Sequence, residues 1–193
     1  MVRGPRERLV DSAIDLVRRK GVAGTGIAEL LEHSNTARRS IYMHFPGGKD
    51  ELIAESTRAA GAAMTALITD VTATDDPRDS LSAFIQMWKA ILVDSNFAAA
   101  CPVVAAALGG SDAPSAPAAA AASFRDWEAA IAEQLVRVGI AAPVADSLAT
   151  MTVCAIEGAV IVALCSRTVQ PLDRIAVHLT ELVNAAAPRL SRR

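Results

Sequence analysis

Alanine is the feature that most limits what this chain can fold into, because it accounts for 40 of the 193 residues. Alanine has the highest intrinsic helix propensity, whereas the aromatic and β-branched runs typical of strands are scarce, with aromatic residues at only 4%. Hydrophobic residues make up 52% of the chain, which is enough for a packed core without disulfide bonds. The composition therefore predicts an all-α fold.

Proline and the period of the apolar residues place the helix boundaries. Proline at the first helical position loses no backbone hydrogen bond and already has a helical φ angle. Five prolines fit such a position, namely Pro5, Pro77, Pro102, Pro143 and Pro171. Between these marks the apolar residues repeat with a period near 3.6, as in amphipathic helices. The sequence predicts nine helices. The first spans about 5–20, a short second one carries Ile27, Leu30 and Leu31, and the third is anchored by Ile41 and Phe45. The others span about 48–72, 77–95, 102–108, 115–138, 143–167 and 171–187.

The segment GGSDAPSAP at residues 109–117 has the glycine, serine and proline content of a mobile surface loop. We interpret it as a plain linker in preference to a functional lid.

Charge is distributed unevenly along the chain, whose net charge is −2. Residues 1–50 contain nine Lys or Arg and six Asp or Glu, whereas residues 51–193 contain ten and fifteen. A basic head of charge +3 therefore precedes an acidic body of charge −5. This asymmetry indicates that the two parts have different partners.

The sequence lacks the motifs of the common enzyme classes. Its three histidines are His33, His44 and His178, and no GxSxG, HExxH, Walker or dinucleotide-binding pattern occurs. The three cysteines show no CxxC spacing, which disfavours both a disulfide framework and a zinc site. We therefore expect no enzymatic activity, no cofactor and no metal.

Export and membrane insertion are also disfavoured. Residues 1–8 are charged and lack the apolar run of a signal peptide. The most apolar stretch, residues 148–165, contains Glu157 together with Thr150 and Thr152, which favours a buried helix over a lipid-spanning one. We expect a cytoplasmic protein with no membrane partner.

Residues 27–45 have the pattern of a helix-turn-helix. Ser34, Asn35 and Thr36 join two short helices; asparagine tolerates the left-handed conformation, and Thr36 is a candidate N-cap of the second helix. With Ile41 and Phe45 facing inward, the remaining side chains of the second helix fall on exposed positions at 100° per residue. Arg39 and Met43 then face outward, Arg38 and Tyr42 lie on one flank, and Ser40 and His44 lie on the other.

Such a helix suits a DNA groove, because arginine binds guanine edges and the smaller donors bind phosphates. An amphipathic helix pair with exposed arginines and no DNA-binding role fits the same periodicity.

The segment RERLVDSAIDLVRRKGVAGTGIAELLEHSNTARRSIYMHFPGGKDELI, residues 6–53, resembles the DNA-binding region of the TetR family of bacterial repressors. The resemblance depends on Gly21 with Thr25, on the SIYMHF run, and on Gly48 followed by Lys49. It implies a helix-turn-helix domain at residues 1–48 and a helical ligand-binding and dimerisation domain at 49–193. It also implies a homodimer whose two recognition helices enter successive major grooves of a palindromic double-stranded operator.

The family pattern assigns roles to individual residues. It implies phosphate contacts for Thr25, Tyr42, His44 and Lys49, and base reading at Arg38 and Ser40. The chain departs from the pattern at Asn35, in place of a turn glycine, and at Arg39, in place of a glycine inside the recognition helix. Arg39 thus either contacts bases itself or shifts how the helix docks. The predicted DNA-binding residues are Thr25, Thr36, Arg38, Arg39, Ser40, Tyr42, His44 and Lys49.

Further along the chain, FPGGKDEL, Cys101-Pro102-Val103, Glu157-Gly158-Ala159 and Gln170-Pro171-Leu172 are similar to the LmrA/YxaF-like subgroup. The similarity implies a body that binds a small hydrophobic effector and pairs through its last two long helices. It also implies that the protein controls a drug-efflux gene.

The residues of the body agree with pairing and with a ligand pocket. The helix at 143–167 carries Val153, Ile156, Val160 and Leu164 beside small residues, and the helix at 171–187 carries Ile175, Leu179, Leu182 and Ala186. These stripes predict a four-helix dimer interface, with monomer core as the alternative. Glu157 either faces an apolar pocket or forms a salt bridge, across the dimer or to Arg167. The candidate ligand-binding residues are Phe84, Trp88, Phe97, Trp127, Met151 and Glu157, each with ordinary core packing as its alternative.

The sequence thus predicts a ligand-responsive transcriptional repressor. The alternative is a helical adaptor whose helix-turn-helix binds a protein instead of DNA.

Overall fold

The computed structural model describes residues 4–74 and 76–187, and across these ranges its regular structure is helical, with no strand. The prediction of an all-α fold is confirmed, and each observed boundary lies within a few residues of the predicted one. The helices are α1 (Pro5–Lys20), α2 (Ile27–Ser34), α3 (Arg38–His44), α4 (Lys49–Val71), α5 (Pro77–Asp94), α6 (Pro102–Ala107), α7 (Ala116–Arg137), α8 (Ala142–Ser166) and α9 (Gln170–Ala186).

The local signals in the sequence act where they were expected to act. Prolines occupy the first or second position of α1, α5, α6, α8 and α9. Asp76 caps α5, because its carboxylate accepts a hydrogen bond from the backbone N–H of Arg78 at 2.9 Å. Gly21 and Gly139 follow α1 and α7 with φ angles of 70° and 92°, a region that glycine adopts without strain.

The chain divides into two compact units, and α4 and α7 each contribute residues to both. The first, which we call the head unit, comprises the described residues up to Ala63 together with Ala99–Ser123. Its core joins α1, α2, α3 and α4 and also includes Ala106, Ala113 and Ala116. The three N-terminal helices therefore share one core with α6 and the beginning of α7.

Residues 109–117 differ from the surface loop that their composition predicts. Residues 110–112 form a short 3₁₀ turn, α7 begins already at Ala116, and Ala113 and Ala116 are fully buried in the head core. The side chain of Asp50 on α4 holds this segment, since its two carboxylate oxygens accept hydrogen bonds from the N–H and the hydroxyl of Ser115 at 2.9 and 2.7 Å. Small alanine side chains fit a tight contact there, which composition alone does not reveal.

The second unit, which we call the body unit, comprises Met64–Ala98 and the described residues from Phe124 onward. Here α5 packs against both α8 and α9, and α8 packs along α9. Lys89 on α5 donates a hydrogen bond to the carboxylate of Asp173 on α9 at 2.8 Å.

The apolar stripes that we predicted for the dimer interface face, in large part, the core of the body unit. Ile156 and Val160 on α8 and Leu179 on α9 are each less than 5% exposed. Leu182 of the predicted α9 stripe is exposed. Other apolar side chains of the same two helices are also open to solvent, namely Met151, Ile161 and Val162 on α8 and Val177 on α9. Both sides of α8 are apolar, and periodicity does not distinguish the side that faces the core from the side that is exposed. Ile156 and Val160 thus follow the monomer-core alternative, and the dimer interface stays a prediction. Helix α8 is also long and apolar enough to cross a membrane, a test that the core helices of soluble proteins pass as well.

Candidate DNA-binding surface and ligand cavity

Helix α3 presents one continuous polar face to solvent. Ile41 and the following Phe45 are 0% and 1% exposed and anchor the helix in the head core. On the opposite side Arg38 and Arg39 are exposed, together with Tyr42 and Met43. The predicted outward orientation of Arg39 and Met43 is confirmed, as is the exposure of Arg38 and Tyr42 on the flank.

The turn before α3 is held by the side chain of Arg8 from α1. Asn35 ends α2 in the left-handed conformation, with φ 47° and ψ 53°. Arg8 on α1 donates from Nε to the Ser34 carbonyl at 3.0 Å, and its guanidinium also reaches the Asn35 carbonyl at 3.4 Å. A cation at these carbonyls is favourable because the C-terminal end of a helix carries partial negative charge. These contacts fix the orientation of α3 relative to α1.

Thr36 does not cap α3, contrary to our prediction. The N-cap residue is Ala37, which has no side-chain oxygen to offer. The hydroxyl of Thr36 instead pairs with the hydroxyl of Ser34 at 2.7 Å, and its N–H donates to the Leu31 carbonyl at 3.0 Å. Thr36 thus stabilises the turn inside the helix-turn-helix.

Two further candidate residues make internal contacts at the start of α2 and α4. The hydroxyl of the fully buried Thr25 donates to the Gly21 carbonyl at 2.8 Å. The ammonium of Lys49 donates to the Val22 carbonyl at 2.9 Å and so connects the first turn of α4 to the chain after α1. In this structure both groups support the backbone, and their roles in phosphate binding stay predictions.

The remaining flank residues are less accessible than Arg38 and Arg39. Ser40 and His44 are half-buried, and Nε2 of His44 is buried with no hydrogen-bond partner within the described part of the chain. The ring of Tyr42 lies next to Gly48, whose φ of 68° is a conformation that glycine adopts without strain. The tyrosine therefore stands where α3 and the beginning of α4 meet.

An ion-pair cluster connects α1 with α4 near this surface. Arg6 donates to the Glu55 carboxylate at 2.6 Å, and Arg58 donates to it at 2.9 Å. These two hydrogen bonds lower the pKa of Glu55 below its ordinary value of 4.5. The Arg6 guanidinium also lies 5.4 Å from the centre of the Phe45 ring.

The body unit contains a cavity among α4, α5, α7, α8 and α9, with about 690 Å³ of atom-free space, part of which is open to solvent. Apolar side chains dominate the wall, and five residues contribute polar groups. The polar residues on the wall are Thr72, Ser80, Gln134, Thr152 and Glu157.

The structure brings together three of the six candidate ligand-binding residues. Phe84, Trp127 and Glu157 line the cavity. Trp88 is 2% exposed and is not on the cavity wall, whereas Met151 is 45% exposed on the outer side of α8. Phe97 also lies apart from the wall, 5.8 Å from the guanidinium of Arg167.

The sequence reasoning missed the polar residues of α5 and α7 that line the cavity. Gln134 is 3% exposed, and its amide nitrogen donates to the Thr74 carbonyl at 3.0 Å and to the Ser80 hydroxyl at 2.7 Å. Its neighbour Glu133 is exposed, and the periodicity of the sequence does not indicate that Gln134 is buried. Arg167, one proposed partner of Glu157, instead donates to the side chain of Asn96 at 2.8 Å.

An all-helical chain with an arginine-bearing helix-turn-helix and a separate apolar cavity has the features of a helix-turn-helix transcriptional regulator. Residues 9–56 match the family model described as bacterial regulatory proteins, tetR family. Residues 77–178 match the model described as transcriptional regulator LmrA/YxaF-like, C-terminal domain. The chain belongs to the TetR family, with an LmrA/YxaF-like C-terminal domain, which confirms both resemblances and the prediction of a non-enzymatic regulator.

Relatives match over nearly the full chain. An uncharacterized HTH-type transcriptional regulator of Mycobacterium tuberculosis is 34% identical, over 99% of this chain and 100% of that protein. The HTH-type transcriptional regulator LmrA of Bacillus subtilis is 26% identical, over 92% and 96%. Among solved structures, a TetR transcriptional regulator from Legionella pneumophila has a TM-score of 0.82 at 19% identity, over 93% of this chain and 97% of that one. At that identity the structural likeness establishes the fold alone.

Proposed function

We propose that this TetR-family regulator is a repressor that binds a palindromic operator as a homodimer and is released by a small hydrophobic ligand. The observation that carries the proposal is the outward face of α3, where Arg38, Arg39, Tyr42 and Met43 lie together while Ile41 fixes the helix from behind. DNA binding is assigned to residues 1–48, and ligand binding and dimerisation to residues 49–193. We expect the protein to act in the cytoplasm, where its proposed DNA target lies.

The dimer is supported by the exposed apolar side chains of α8 and α9. Met151, Ile161 and Val162 lie at positions 0, 10 and 11, which fall within an arc of about 100° around α8 and therefore form one stripe. Val177 adds an exposed apolar side chain on α9, the helix that packs along α8. A second copy of the chain would remove this surface from water.

Ligand release is supported by the two ends of α4. Its first residue, Lys49, is a predicted phosphate contact, and Ile68 and Val71 near its other end line the cavity. A ligand that favours one position of α4 changes the spacing of the two recognition helices, so that operator affinity falls. The LmrA/YxaF-like relationship supports an efflux or detoxification gene as the regulated target.

Selection of bound sequences from random duplexes, with the purified full chain, tests operator binding. We expect two inverted half-sites whose centres are separated by one helical turn of DNA or a multiple of it. Affinity should also fall steeply with salt, because phosphate contacts release counterions. Failure to enrich any palindrome, together with binding indifferent to salt, would favour the adaptor alternative.

The oligomeric state is tested by an Ile161→Asp variant in sedimentation measurements. We expect a monomer with weakened operator binding, because a carboxylate on the stripe cannot be buried against a second copy without a large desolvation cost. Leu108→Asp is the matched control, since Leu108 is an exposed apolar residue of the head unit. A dimeric Ile161→Asp variant would refute this interface.

A further inference from the structure

We propose that the ligand of the body cavity is a lipophilic cation, with Glu157 as its counter-charge and the rings of Trp127 and Phe84 as its aromatic contacts. This inference rests on the proposed ligand-responsive function and specifies the chemical class of the ligand. The charge and the aromatic side chains of the cavity wall support it.

The wall is electrostatically one-sided. Among the described residues that line it, Glu157 is the only ionisable carboxylate, and Lys, Arg and His are absent. The surrounding side chains, among them Ile68, Ile131 and Ile156, are apolar. A carboxylate beside such surfaces attracts a cation more strongly than it would in water, because the effective dielectric constant is lower. An anionic ligand would meet repulsion with no compensating group.

Aromatic side chains on the same wall favour the same sign of charge. Trp127 is 2% exposed and lines the cavity together with Phe84. Phe124 packs edge-on against Trp127, with ring centres 5.2 Å apart and an interplanar angle of 89°, which holds the indole in place. The faces of aromatic rings carry negative electrostatic potential and attract cations, and tryptophan does so most strongly.

Two of the other polar groups on the wall are already engaged within the protein. The amide nitrogen of Gln134 already donates to Thr74 and Ser80, and the Ser80 hydroxyl already donates to the Val71 carbonyl at 2.7 Å. The cavity is therefore mostly apolar, with one carboxyl group. A molecule with extended apolar groups and a single positive centre matches it.

Two probes of nearly equal shape separate charge from hydrophobicity. Methyltriphenylphosphonium is a permanent cation, and triphenylphosphine oxide carries the same three phenyl rings without net charge. Binding of each to the purified full chain is followed by tryptophan fluorescence, for which Trp127 is a reporter inside the cavity, and by equilibrium dialysis. We expect the cation to bind about tenfold or more tightly than the oxide.

A pair of variants assigns the preference to one residue. Glu157→Gln removes the charge with little change of shape, and it should weaken cation binding about tenfold while oxide binding changes less than about twofold. Asp146→Asn is the matched control, because Asp146 lies exposed on the same helix and is not on the cavity wall. It should leave both affinities unchanged.

Three results would overturn the inference: equal affinity for the two probes, absence of cation binding, or a cation affinity unaffected by Glu157→Gln. Operator release measured on the same samples separates this inference from the proposed function. Release by the oxide and not by the cation would overturn the inference and still support ligand-responsive regulation. Glu157-dependent binding of the cation without any operator release would support the inference and contradict the regulatory proposal.

Discussion

Gly61 lies inside α4, at a point where helix propensity and packing predict opposite effects of substitution. An added Cβ would lie 1.9 Å from the hydroxyl oxygen of Ser123 on α7 and 2.7 Å from its Cβ. Both residues are buried in the head unit, and the Ser123 hydroxyl donates to the Ala119 carbonyl at 3.2 Å. The two helices therefore approach closely only because residue 61 has no side chain.

Magnitudes decide the sign of the effect. Glycine inside a helix costs about 1 kcal/mol relative to alanine, so propensity alone would make Gly61→Ala stabilising. Overpacking a buried contact costs about 1–3 kcal/mol, and distances of 1.9 and 2.7 Å demand displacement of a helix and not only of a side-chain tip. Displacing a helix places the overpacking cost in the upper part of that range, at about 2–3 kcal/mol. We therefore expect a net loss of about 1–2 kcal/mol, or about 2–8 °C in Tm for a chain of this size.

The rescue pattern makes this prediction specific. Ser123→Gly removes both close atoms and leaves only the Cα of residue 123, at 3.7 Å, so the double variant should unfold within about 2 °C of the wild type. Ser123→Ala leaves the Cβ contact at 2.7 Å and should rescue only in part.

Thermal unfolding is followed by circular dichroism at one fixed protein concentration, because Tm of an oligomer depends on concentration. Ala62→Gly is the control for propensity, since Ala62 is exposed on the same helix. A rise in Tm for Gly61→Ala, or equal rescue by Ser123→Ala and Ser123→Gly, would refute the packing argument.

Three further predictions concern the head unit. Asn35→Gly should leave Tm nearly unchanged, whereas Asn35→Val should cost about 1–2 kcal/mol, because a β-branched residue is strained at φ 47°; equal Tm values would contradict this. Lys49→Met should lower Tm by a few degrees through loss of the bond to Val22, and should weaken binding to all duplexes alike; an unchanged Tm would show that the bond stabilises nothing. Because Arg6 and Arg58 stabilise the charged form of Glu55, its stabilising contribution is fully present above pH 4.5 and is lost as the pH falls through the lower pKa of the folded state. Glu55→Gln should therefore make Tm fall less as the pH is lowered. An equal fall of Tm in the variant and the wild type would exclude Glu55 as the group responsible.

The helices and the orientation of α3 were predictable because their causes are local. Proline at the start of a helix, a capping aspartate before Pro77, and apolar residues at 3.6-residue spacing all act within a few positions of the chain. The same spacing placed Ile41 and Phe45 inward, and with them the arginines outward. The family resemblance then supplied the DNA-binding function.

The cavity was predicted only in part, because residue size does not reveal which side of a buried helix meets empty space. Trp88 and Trp127 are equally buried, yet only Trp127 lines the cavity. Gln134 was not predicted to line the cavity, because its buried side chain bonds to Thr74 and Ser80, which are more than 50 residues away in sequence. Contacts between distant segments leave no periodic signal in one sequence.

The same limit applies to the head unit. The internal hydrogen bond of Lys49 and the burial of Ala113 depend on partners distant in sequence. Asp50 and Ser115, which hold the start of α7, are 65 residues apart. These contacts required the fold before they were apparent.

Base reading by the outward face of α3 is the central element of the proposed function. The direct test compares the affinities of the wild type, Arg38→Ala and Tyr42→Phe for the selected operator and its single-base variants. Arg38→Ala should reduce discrimination at one base pair in each half-site by about tenfold or more, whereas Tyr42→Phe should weaken binding to every duplex by a similar factor. If Arg38→Ala left the relative affinities of the operator variants unchanged, the proposed reading role of this face would be wrong.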